Sequence, residues 1–172
     1  AKAGQSMGCT EALFTLGERP EQRYPEAKEC LARRSFKTTV EYLRASSFLV
    51  LQETSLLPHG NPGTMSRREF QALKDVNASM GIMLESVSQS LCLPGGAHEL
   101  APSKWPRVRM KSLELAGMLR IPFTTGILIG IGETREERPE SLSAIKQLHE
   151  RFGHIQEIII QNFIPKPDTK MK

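Results

Sequence analysis

Ile121–Thr134 reads IPFTTGILIGIGET, and its reading decides the fold. The run Phe123–Ile129 is apolar on both faces, as a strand buried on both sides must be. It breaks at Gly130-Ile131-Gly132, where glycine lets the backbone turn sharply or lets a ligand approach it closely. Thr134 and Glu137 then have the spacing of a capping box for a following helix. In α/β proteins ligands bind at such a strand–glycine–helix junction, beyond the carboxyl end of the strand. A dinucleotide fingerprint needs a third glycine where Arg135 stands, and no Lys-Ser/Thr phosphate loop is present. Glu133 at the helix entrance repels phosphate. A site here would therefore meet a cationic or neutral group through Glu133 and backbone amides. The plain alternative is a turn that binds nothing.

Outward from this stretch the chain alternates. Before it, Pro106 starts a helix with Val108, Leu115 and Leu119 expected inside, and after it Leu142, Ile145, Leu148 and Phe152 mark a helix that Gly153 stops. Ile155–Phe163 reads as the last strand, followed by the extended loop Pro165–Thr169. Toward the amino end, Cys9–Leu16, Leu56–His59 and Asn77–Leu84 read as strands. Between them lie helical spacings: Tyr24, Ala27 and Leu31; Val40, Leu43, Ser47, Val50 and Leu51; and Phe70, Leu73 and Val76 behind a Ser66/Glu69 capping box. The expectation is an α/β fold, an incomplete TIM-type (β/α) barrel of five parallel strands with helical crossovers. Polar residues recur at the carboxyl ends of the strands: Glu11, His59, Asn61, Glu85, Glu133, Gln161 and Asn162. The long loop Leu91–Pro106 adds His98, Lys104 and Trp105, the last read as a packing plug.

Composition narrows the classes. The 172 residues suit one domain and carry a net charge of +4. The basic residues are scattered as on solvated helix faces, which argues against nucleic acid. No apolar run spans a membrane. Cys9, Cys30 and Cys92 are odd in number and too widely spaced for a metal knuckle, so a reducing, cytoplasmic setting with free thiols is expected and no metal ligand is assigned. Both ends look cut from a longer chain.

Taken together, GCTEALFTLG, ETSLLPHGNPG, LKDVNASMGIMLES, APSKWP, IPFTTGILIGIGET and HIQEIIIQNFIPKPDTKM resemble the FO synthase branch of the radical S-adenosylmethionine enzymes, and within it the cyclising subunit or domain. The resemblance implies residues 1–172 as the central part of a barrel domain truncated at both ends. It also implies a 4Fe-4S cluster and S-adenosylmethionine, cleaved to a 5′-deoxyadenosyl radical. The implied small-molecule substrate is a precursor derived from tyrosine and 5-amino-6-(D-ribitylamino)uracil. A companion subunit or fused second domain makes it, and cyclisation gives FO, 7,8-didemethyl-8-hydroxy-5-deazariboflavin. Glu11, in Gly8-Cys9-Thr10-Glu11, is aligned with the family's Gly-Gly-Glu-type motif and would bind the ammonium of S-adenosylmethionine. Glu85 and Ser86 would take the ribose hydroxyls, and Gly130, Gly132 and Glu133 would lie along adenine. His59, Asn61, His98, Lys104, Gln161 and Asn162 are candidates for the substrate; none is assigned to proton transfer. The cluster motif Cys-x-x-x-Cys-x-x-Cys is absent from these residues, so its ligands are expected outside the chain and the 172 residues alone are expected to be inactive. Other readings are the precursor-making paralogue, a barrel without cluster or catalysis, and an RNA-associated module.

Overall fold

The computed structural model describes residues 1–165. The loop expected at 165–169 lies, beyond Pro165, outside the described residues. The chain forms two compact units, Ala1–Gly81 and Ile82–Lys172.

In the first unit, α1 (Lys2–Ser6) precedes β1 (Glu11–Thr15); α2 (Pro25–Ala32) and α3 (Thr39–Glu53) lead to β2 (Leu57–Asn61); α4 (Arg67–Lys74) leads to β3 (Ser79–Gly81). The strands are parallel, with Glu11 opposite Leu57 and His59 opposite both Leu13 and Ser79. Local chemistry explains the helix starts. Thr38 and Glu41 close one capping box and Ser66 and Glu69 another, each pairing side chain and backbone both ways. Behind the strands, Leu43, Phe70, Leu73 and Met80 are buried. Leu51, expected on the inner face of α3, is 41% exposed. The inner stripe is Val40, Leu43, Ser47 and Val50, one helical face that Leu51 oversteps.

In the second unit, α5 (Pro106–Met118), β4 (Phe123–Ile129), α6 (Glu137–Phe152) and β5 (Ile155–Asn162) follow in order. β4 and β5 are parallel, with Gly126 opposite Ile159 and Ile129 opposite Asn162. Phe123–Ile127 are all buried, as the doubly apolar run requires. The strand expected over Asn77–Leu84 is regular only across Ser79–Gly81, but Ile82 and Glu85 still donate their amides to Thr124 and Gly126 of β4. The inner face of α5 is Arg109, Ser112, Leu113, Ala116 and Gly117 instead of Val108, Leu115 and Leu119. Two local facts turn the helix. The Arg109 guanidinium bonds the carbonyls of Ser103 and Met83, and Gly117 leaves room for the Phe152 ring, which a Cβ there would meet at 2.7 Å. Gly153 ends α6 with φ 65°, in the left-handed region glycine favours.

Candidate functional site

The glycine turn after β4 is closed from within. Gly130 and Gly132 have φ of 92° and 109°, which side chains rarely adopt. Glu133 folds back and accepts the amides of Gly130 and Ile131 while Arg138 binds its other face. Burial pushes the Glu133 carboxyl up, but those amides and Arg138 outweigh burial and lower it. Both Glu133 oxygens thus accept hydrogen bonds from the chain itself. What the turn leaves toward a ligand is backbone. The Thr134/Glu137 box also forms, each residue bonding the other's amide.

Beyond the carboxyl end of β3, Glu85 sits 8% exposed with φ 68°. Lys104 donates to its Oε1 at 2.5 Å, and His98 Nε2 lies 2.7 Å from its Oε2, close enough for an ion pair though off the line of a full hydrogen bond. Burial pushes the Glu85 carboxyl up; His98 and Lys104 more than offset it and hold it at about 2. The structure therefore brings three predicted residues together, and it gives His98 and Lys104 a shared anion, Glu85, where a substrate contact was expected. Ser86 is buried and its hydroxyl accepts the Ser88 amide. The loop that carries His98 joins the glycine turn in lining a cavity of about 610 Å³, with Leu91, Pro94, Ala97, Leu100, Ile131 and Gly132 in its wall. Trp105 caps α5 half-buried, with Arg107 stacked 5.7 Å from its ring, so it is not a fully buried plug. Gln161 and Asn162 close β5 at its carboxyl end, both exposed.

In the first unit, Glu11 requires correction. It is the first residue of β1, at the amino end, and it is exposed. Register places it beside Leu57, the first residue of β2. A carboxylate there needs no cationic partner because water solvates it. The acid past the carboxyl end of β1 is Glu18, in Leu16-Gly17-Glu18, whose Oε1 accepts the amide and hydroxyl of Thr64. Gly63 makes room for it: with φ 86°, any Cβ there would stand 2.7 Å from the Glu18 side chain. The signal was available, since an apolar strand followed by Gly-Glu is the pattern already seen at Gly132-Glu133. Farther along, His59 and Asn61 are joined: His59 Nε2 is 3.0 Å from Asn61 Oδ1, and Nδ1 is 2.6 Å from Ser79 Oγ. Ser79 went unnoticed in the sequence because serine inside an apolar run reads as a neutral filler.

No group of three His, Cys, Asp or Glu among the described residues is placed to hold a metal ion. No described helix is long and apolar enough to cross a membrane.

No family model matches the chain. An FO synthase of Nocardia farcinica is 54% identical over 100% of this chain, which covers 20% of that protein. The 7,8-didemethyl-8-hydroxy-5-deazariboflavin synthase of Methanopyrus kandleri is 52% identical over 98% of this chain, which covers 51% of it. The chain thus spans a fifth to a half of these relatives. The FeFe-hydrogenase maturase HydG of Carboxydothermus hydrogenoformans superposes with a TM-score of 0.71 over 95% of the chain and 35% of its own, at 20% identity. Methylornithine synthase (PylB) does so with a TM-score of 0.59 over 76% of the chain and 35% of its own, at 19% identity. These likenesses show the fold: parallel strands alternating with helices, an incomplete (β/α) barrel.

Proposed function

We propose that the protein carrying this chain is a radical S-adenosylmethionine enzyme of the FO synthase kind, one that cyclises the tyrosine- and 5-amino-6-(D-ribitylamino)uracil-derived precursor to FO. The observation that supports this is identity above half along essentially the whole chain with both an FO synthase and a 7,8-didemethyl-8-hydroxy-5-deazariboflavin synthase. A companion subunit or fused domain making the precursor belongs to the same reading, as does the assignment of residues 1–172 to the middle of a barrel domain.

The chain's own cysteines do not fit a cluster. Cys9 and Cys30 are exposed in the first unit and Cys92 is buried in the second, and the three lack the close spacing of a cluster-binding motif. S-adenosylmethionine suits the site residues better. Its sulfonium and ammonium are cationic, and the strand ends offer carboxylates. The Gly130–Gly132 backbone lies along adenine, which is flat and needs no phosphate cradle. Glu85 accepts ribose hydroxyls once Lys104, the more exposed of its two partners, gives up its place. Asn61 is left for the substrate.

The test is turnover of the full-length, cluster-loaded protein with S-adenosylmethionine, a reductant and the precursor. The expected product is FO, read by its deazaflavin fluorescence. If the protein instead consumes tyrosine and 5-amino-6-(D-ribitylamino)uracil and leaves the precursor unchanged, it is the precursor-making paralogue.

A further inference from the structure

A buried hydrogen-bond chain in the first unit ends in an amide whose NH₂ has no hydrogen-bond partner among the described residues. Ser79 is 3% exposed and His59 6%. His59 Nδ1 meets Ser79 Oγ and His59 Nε2 meets the carbonyl oxygen of Asn61. A carbonyl oxygen only accepts, so Nε2 carries the proton. Ser79 then donates to Nδ1 of neutral imidazole, or accepts from Nδ1 of imidazolium by rotating its hydroxyl. Both states are compatible with the Asn61 carboxamide orientation in the structure. Its oxygen is turned to His59, and its NH₂ group has no hydrogen-bond partner among the described residues. Asn61 is the last residue of β2, at the carboxyl end where parallel strands present their ligand groups, and it is only half-buried.

We propose that Asn61 is a substrate-recognition residue whose NH₂ donates to a carbonyl oxygen of the pyrimidinedione ring, and that His59 and Ser79 are positioning residues acting through it. The proposal rests on the substrate reading above and divides its roles: His59 touches Asn61, not the substrate. The ligand group follows from polarity. A donor held in one orientation selects an acceptor, and a site built to hydrogen-bond one group strongly rejects a mismatched one.

Asn61→Asp is the decisive variant in the full-length protein, because it keeps the shape and presents only acceptors. An Asp there still takes a ribityl hydroxyl but repels a carbonyl. Calorimetry with the precursor as probe is expected to show affinity lower by about tenfold or more, with S-adenosylmethionine affinity within about twofold of the parent. Ser79→Ala is expected to lose a smaller factor, about threefold, and to add nothing on top of Asn61→Asp, since it acts through the same amide. Asn61→Ser provides a second small substitution if Asp perturbs folding; it is expected to show the same selective loss. Unchanged precursor affinity in Asn61→Asp or Asn61→Ser, a loss confined to S-adenosylmethionine, or strictly additive effects of Ser79→Ala and Asn61→Asp would each overturn the proposal. Wild-type protein that fails to bind the precursor at all removes the substrate reading itself, a different result from wild type binding and the variants binding equally.

Discussion

Two buried polar clusters, one in each unit, solve the same problem in opposite ways. In the second unit Glu85 is charged and is matched by two side chains from its own downstream loop, the Lys104 ammonium and the His98 imidazole. In the first unit Ser79, His59 and Asn61 form a chain that needs no net charge and that stops at an amide with a spare donor. Removing a buried carboxylate from water is costly, and Glu85 recovers that cost only through its partners. The serine–histidine–asparagine chain has far less to recover. The difference separates a cluster whose carboxylate is already satisfied from one that ends in an amide whose NH₂ has no hydrogen-bond partner among the described residues.

The largest expected effect is on the charged cluster. Glu85→Ala leaves His98 buried and Lys104 half-buried without their anion. It is expected to cost about 3 kcal/mol, the low end for a broken buried pair because Lys104 is partly solvated. Urea unfolding at neutral pH measures it. A cost below about 1 kcal/mol would mean that the clamp contributes no more than a surface ion pair.

The same cluster predicts a pH signature. The folded Glu85 carboxyl titrates at about 2, below its ordinary 4.5, so its stabilising contribution is full above pH 4.5 and is lost as pH falls through 2. Between about pH 6 and about pH 3, the stability gap between wild type and Glu85→Gln is expected to shrink by about 2 kcal/mol. Glu69, held at about 2 by Arg19 and Ser66 against the upward push of burial, titrates in the same range but cancels from that difference. A gap constant with pH would show that the clamp does not depend on the charge of Glu85.

How far these clusters were legible in sequence follows from the range of each signal. The buried strand Phe123–Ile127, the two glycines after it and the capping boxes were readable because each is decided within a few neighbours. The Glu85 clamp was not, because Lys104 stands 19 residues away and only the folded loop brings it to the carboxylate. His98 and Lys104 looked like substrate residues for the same reason: an unpaired cation in a long loop and a paired one are identical as letters. The misplacement of Glu11 has another cause. An acid inside Cys9–Leu16 suggests a buried charge only if the strand is paired along that whole stretch, and pairing begins at Glu11 itself.

A middle-sized effect tests whether uncharged burial is costly by itself. Asn77 accepts from Ser47 and donates to the Leu73 carbonyl, all within the first unit. Asn77→Ala leaves the buried Ser47 hydroxyl without its acceptor, while the Leu73 carbonyl keeps the Val76 amide, and is expected to cost about 2 kcal/mol. None of the three groups ionises, so the cost is expected to be the same at about pH 6 and about pH 3. A strong pH dependence would undo the contrast with Glu85.

The smallest effect is the most telling for the neutral chain. Ser79→Ala removes one hydroxyl and leaves the buried His59 Nδ1 without its hydrogen-bond partner. Nε2 keeps its bond to Asn61, so the imidazole is not released and only one link fails. The expected cost to stability is about 1 kcal/mol, the usual net value of a single intramolecular hydrogen bond. That is about a third of the loss for Glu85→Ala, although Ser79 is the more deeply buried of the two. Burial depth alone would order them the other way. If Ser79→Ala proves the more destabilising in urea, packing around Ser79 and not its hydrogen bond sets the energy of the chain, and Asn61 then owes its orientation to its neighbours' shape.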